Sequence, residues 1–116
     1  MAISEAFQSS ASIGTTERYL AADSTSPSYK TDDGIYQLFL DLANLAAGDI
    51  FQIKVYEKVY SAGTARVVWI DNVTGPLDSP HYVTPSLILL HKWDFSVICI
   101  AGTNSRSIAW SIRKVA

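Results

Sequence analysis

From Val83 to Val115 apolar residues alternate with others in short runs separated by turn residues. In the last run Ile108, Trp110 and Ile112 share one face, and Ser107, Ala109, Ser111 and Arg113 share the other. That two-residue period is the signature of a strand buried on one side. The same period runs through most of the chain. Gly34 to Leu42 places Tyr36, Leu38, Leu40 and Leu42 on one face. Ile50 to Tyr60 turns Phe51, Ile53, Val55 and Val59 one way and Gln52, Lys54, Tyr56, Lys58 and Tyr60 the other. Ser61-Ala-Gly63 then marks a tight hairpin, and a return strand carrying Ala65, Val67, Trp69 and Val73 is expected to pair antiparallel with its predecessor.

The remaining elements are shorter. Thr16 to Ala21 predicts a brief strand anchored by Tyr19, and Val83 to Leu90 a strand in which Pro85 marks an edge, a bend or a bulge. His91-Lys92 is expected to be a turn, Trp93 to Ala101 a strand, and Gly102 to Arg106 the last hairpin loop. Helix competes only over Asp41 to Ala47, which is too short to hold alone. Gly75 to Pro80 holds two prolines and a glycine and must be a loop. About seven to eight strands at spacings near a dozen residues predict an all-β chain, a single antiparallel β-sandwich of jelly-roll-like form.

Residues 1–15 are rich in Ser and Ala, with Ile3, Phe7 and Ile13 as scattered apolar anchors. They are expected to form an amino-terminal arm or a weak first strand, leaving residues 16–116 as the sandwich domain. At 116 residues the chain has room for one core and not two. Between Asp23 and Gly34 runs a polar loop containing Tyr29, long enough to make contacts of its own.

Composition narrows the function. Charged residues are 17% of the chain and the net charge is -2, so there is no basic stripe of the kind nucleic acid requires. The longest apolar stretches fall far short of the ~20 residues that span a bilayer, and the first residues lack a secretory pattern. A soluble chain made in a cytoplasm, without nucleic-acid or membrane partners, is the expectation. The single cysteine, Cys99, lies in the apolar run Phe95 to Ile100 and is expected to be a buried thiol.

Candidate chemistry is sparse. His81 and His91 sit at opposite ends of one predicted strand, about 30 Å apart, which keeps them out of one metal sphere. Asp32-Asp33, Asp23 and Asp49 lie in loops without the repeated ligand spacing calcium favours. There is no Gly-x-Ser-x-Gly elbow, and Cys99 has no histidine near it in sequence. Asn72-Val-Thr74 fits a glycosylation acceptor and is read as strand sequence. No catalytic residue, metal or cofactor is expected, and the chain is not expected to be an enzyme.

Aromatics and surplus apolar residues point elsewhere. Tyr36, Tyr56, Tyr60, Trp69, Tyr82, Trp93 and Trp110 are spread over most strands, with core packing their default use. Tyr56 and Tyr60 share a face with Lys54 and Lys58, a stripe suited to a partner surface if exposed. Ile88 and Leu90 oppose Leu87 and Leu89, and Ile98 and Ile100 oppose Val97 and Cys99. A lone sandwich needs only one apolar face per strand, so these strands imply a second covered face, from an assembly or from long loops.

The segments Gly34-Ile-Tyr-Gln-Leu-Phe-Leu-Asp-Leu42, Leu45-Ala-Ala-Gly-Asp49, Phe51 to Val59, Thr84 to Leu89, Ala101-Gly-Thr103 and Ser107 to Arg113 resemble small virion proteins of tailed bacteriophages, over roughly residues 16–116. That resemblance implies a capsid decoration, or cement, protein on the outer surface of a phage head, braced between major capsid subunits and homotrimeric at a local threefold axis. Ile3, Phe7 and Ile13 of the arm, Tyr29 of the loop, and Tyr56 and Tyr60 are the residues expected to touch partners. A neck, tail or fibre component, and a carbohydrate- or receptor-binding module, are the alternatives.

Overall fold

Nearly every run with a two-residue period forms a strand in the computed structural model, which describes residues 2–102 and 105–115. Among them nine strands form: β1 (Ile3–Ile13), β2 (Arg18–Tyr19), β3 (Gly34–Asp41), β4 (Ile50–Lys58), β5 (Arg66–Thr74), β6 (His81–Val83), β7 (Leu87–Leu89), β8 (His91–Ala101) and β9 (Arg106–Val115). One sheet runs β1-β9-β3-β6, with β7 also on β3, and the other runs β2-β8-β4-β5. All pairings are antiparallel. The chain is a jelly-roll-like β-sandwich.

Alternation decides which side chains meet between the sheets. Tyr36, Leu38 and Leu40 of β3 and Ile108, Trp110 and Ile112 of β9 face Phe51, Ile53 and Val55 of β4 and Trp93, Phe95, Val97 and Cys99 of β8, all buried. Pro85 breaks the expected strand over residues 83–90 into β6 and β7. At the break Thr84 replaces the lost ladder bond: its Oγ1 accepts from the Leu38 amide at 3.0 Å.

Several expectations need correction. Of the two readings of residues 1–15, the strand and not the loose arm forms: residues 3–13 make an eleven-residue strand along β9, whose Ser and Ala residues satisfy the ladder without signalling its length by apolar content. His91-Lys92 is not a turn. Lys92, at φ 30°, is the extra residue of a bulge where Glu57 and Lys58 pair with Trp93 and His91. The segment from Gly102 to Arg106 is not a hairpin loop, because β8 pairs with β4 while β9 pairs with β3; part of it lies outside the described residues. The link crosses between sheets so that both strands turn their apolar faces to one core. Asp49 fastens this crossing: its carboxylate accepts from Arg106 Nε at 2.7 Å and from the Ala46 amide at 2.8 Å.

Asp94 is a fully buried carboxyl. It accepts from the amides of Ala21, Ala22 and Phe95. Burial pushes its carboxyl up to about 6, against the pull of those amides. The folded chain therefore binds this proton more tightly than the unfolded chain, and stability gained from it grows as pH falls through about 6. Glu17, Asp23 and Asp49 have the opposite sign: each is held below its ordinary value, so their contribution is lost in more acid solution. The melting midpoint is expected to rise from about pH 7 to about pH 5 and to fall below about pH 4. Thermal melts of Asp94→Asn are expected to lack the rise.

Candidate functional site

The side chains that alternate away from the core form the outer face of the β1-β9-β3 sheet. Strand register sorts them into rows. At one end Ile3 pairs with Val115, Val115 with Ile35, and Ile35 with Ile88. This apolar row crosses four strands, and Ile3, Ile35 and Ile88 are 69%, 40% and 81% exposed. Next comes a polar row of Glu5, Arg113 and Gln37. Beyond it lie Gln8, Ser111, Phe39 and Val83, then Ser10, Ala109, Asp41 and His81.

The small residues Ala109 and Ser111 of β9 leave a groove of about 250 Å³ between taller neighbours. Glu5 and Gln8 of β1 line it on one side, and Phe39, Asp41 and His81 on the other. Arg113 closes one end, its guanidinium 3.8 Å from the centre of the Phe39 ring. Arg113 Nε donates to Ser111 Oγ at 3.3 Å, and Ser111 Oγ donates to Glu5. The stacked, hydrogen-bonded guanidinium is thereby held in place before any ligand arrives.

A second cluster sits on the outer face of the other sheet. Tyr19, Tyr29 and Tyr56 have ring centres 5.7 to 6.3 Å apart, gathered around Glu17. That carboxylate accepts from Tyr56 at 2.9 Å, Tyr19 at 3.2 Å, Ser96 and the Lys54 ammonium. Burial opposes its ionisation, but the Ser96, Tyr56 and Lys54 donors outweigh it and keep the carboxyl below its ordinary value. Burial and the Glu17 charge push the Tyr56 hydroxyl up to about 12. The cluster satisfies itself and pins residues 17–30 to the sheet.

The residues singled out from sequence are thus dispersed. Ile3 lies on the apolar row. Phe7 packs half-buried against Trp93, ring centres 6.1 Å apart. Ile13 is 1% exposed and fills the core, which corrects its assignment as a contact residue. Tyr29 and Tyr56 come together, but around Glu17. Tyr60 is exposed beside Val59, just past the end of β4. Ile35, Val115 and the groove residues were missed. Their one sequence signal was the small-residue face Ser107, Ala109 and Ser111.

The other exposed apolar positions follow the expected second faces. Ile88, Leu90 and Ile100 are exposed, whereas Leu89 and Cys99 are buried. β5 ends its sheet with Val67, Val68 and Ile70 exposed. β1 ends the other sheet at the opposite margin of the sandwich, since Phe7 meets Trp93 of β8 while Tyr82 of β6 donates to Asp71 of β5.

No protein-family model matches the chain, and no curated protein matches it. Among solved structures, a chain of Bacillus endospore appendages, which form disulfide-linked pili, superposes with a TM-score of 0.50 at 13% identity, covering 98% of this chain and 87% of that one. A xylan-binding domain from CBM 22 gives 0.46 at 19% identity; 86% of this chain is covered but only 64% of that domain. The Eiger TNF of S. frugiperda gives 0.46 at 11% identity, covering 97% and 88%. At such identities what is shared is architecture, and the chain is a β-sandwich of jelly-roll-like form.

Proposed function

We propose that this chain is a structural subunit held by neighbours in a larger particle, and specifically a decoration protein on the outer surface of a phage head, three copies meeting at a local threefold axis. The observation that carries this reading is the apolar row Ile3, Val115, Ile35 and Ile88, aligned in register on an outward sheet face. Covering one such side chain stabilises a contact by about 1.5–3 kcal/mol, and an aligned row does so over a continuous strip. The phage-head setting rests on the sequence resemblance. Two long edge strands at opposite margins, β1 and β5, add unpaired backbone that neighbours can satisfy. Many equivalent shallow contacts then reinforce one another on a lattice.

The test is a mass-spectrometric count of this chain against major capsid protein in purified particles of the phage that encodes it. A decoration role gives copy numbers comparable with the shell subunit. A handful of copies per particle assigns the chain to a neck, tail or fibre instead, and none at all removes the virion reading.

A further inference from the structure

The groove starts beside the apolar row, with Glu5 and Arg113 two residues from Ile3 and Val115, and runs away from it, so that Ala109 and Val115 are separated along β9 by about 20 Å of strand. A neighbour seated on the row alone therefore leaves the far end of the groove, over Ala109, open to a second ligand.

Its chemistry selects that ligand. The Glu5 and Asp41 carboxylates supply acceptors on opposite sides, the Gln8 amide supplies both a donor and an acceptor, and the Arg113 guanidinium supplies donors at one end. An anion placed over Ala109 meets two carboxylates. A cation meets a guanidinium already fixed against Phe39 at 3.8 Å. A neutral molecule carrying many hydroxyls meets neither penalty, and each hydroxyl can both donate and accept. The volume of about 250 Å³ is near the lower end of ordinary ligand pockets, about 300 Å³, and suits one ring at a time.

We propose that the groove over Ala109 binds a neutral saccharide, with hydroxyls on the Glu5 and Asp41 carboxylates and one edge against the Arg113–Phe39 stack. This is a recognition activity separate from attachment to the particle, and it stands or falls independently of it.

The experiment uses the full chain on a printed array of neutral oligosaccharides, followed by nuclear magnetic resonance titration with the strongest binder. Ala109→Trp fills the groove from an exposed position, and Gln8→Ala removes one amide from an exposed position of β1. The expected result is wild-type binding that falls at least tenfold in Ala109→Trp and severalfold in Gln8→Ala, with shifted amides confined to β1, β3, β6 and β9. Gln8→Ala decides the matter alone if Ala109→Trp does not fold. No array signal from folded wild-type chain overturns the proposal, as does binding that the folded variants leave unchanged.

Discussion

Replacing Trp93 with alanine is expected to cost about 3–5 kcal/mol, against a total stability of about 5–15 kcal/mol for a domain. Trp93 is 0% exposed and ranks among the largest fully buried side chains. Its ring lies 4.3 Å from Tyr36 and 5.9 Å from Phe95, centre to centre, so truncation opens a cavity among rings that relax only in part. The loss is not confined to packing. Trp93 Nε1 donates to the Asp32 carbonyl at 2.8 Å, a bond alanine cannot make. The indole thus ties the loop between β2 and β3 to the core. Chemical denaturation is expected to show a lower midpoint with an unchanged slope, and Trp93→Phe, which keeps a ring and loses the N–H, a smaller loss.

The core was legible in the sequence because it is a matter of period. Phe51, Ile53 and Val55, or Ile108, Trp110 and Ile112, reveal their face by alternation alone, and the structure buries all six. Sheet membership was not legible. The short segment between β8 and β9 looks like a hairpin, yet β4 and β3 claim the two strands for different sheets, and that choice depends on partners far away in sequence. β1 was legible only as one of two alternatives: an edge strand of Ser and Ala carries little apolar signal to separate it from an arm, although Ile13 at its end is core.

The candidate site was less visible still. Ile35 and Val115 carry no signal singly, Ile88 shows only as one residue of a doubly apolar run, and only register aligns them with Ile3. Tyr29 and Tyr56 were visible as aromatics, but the carboxylate that gathers them, Glu17, sits in a short strand approach with no pattern to mark it. The groove needs tall residues on β1, β3 and β6 on either side of a low floor on β9. The sequence carried the floor, Ala109 and Ser111, without the walls.

Placing lysine at Ile3 and Ile88 together is expected to abolish attachment while leaving the fold intact. Both side chains are largely exposed, 69% and 81%, so each change alters stability by no more than about 0.5 kcal/mol. In an occupied contact the same changes remove two covered apolar groups, worth about 1.5–3 kcal/mol each, and set two charges against an apolar neighbour. The weakening is therefore about a hundredfold or more. The decisive measurement is co-sedimentation of wild-type and Ile3→Lys/Ile88→Lys chains with particles stripped of this protein, with melting curves taken on both. Equal melting midpoints with binding lost in the variant are the expected result; equal melting midpoints with equal binding would contradict the role assigned to the apolar row.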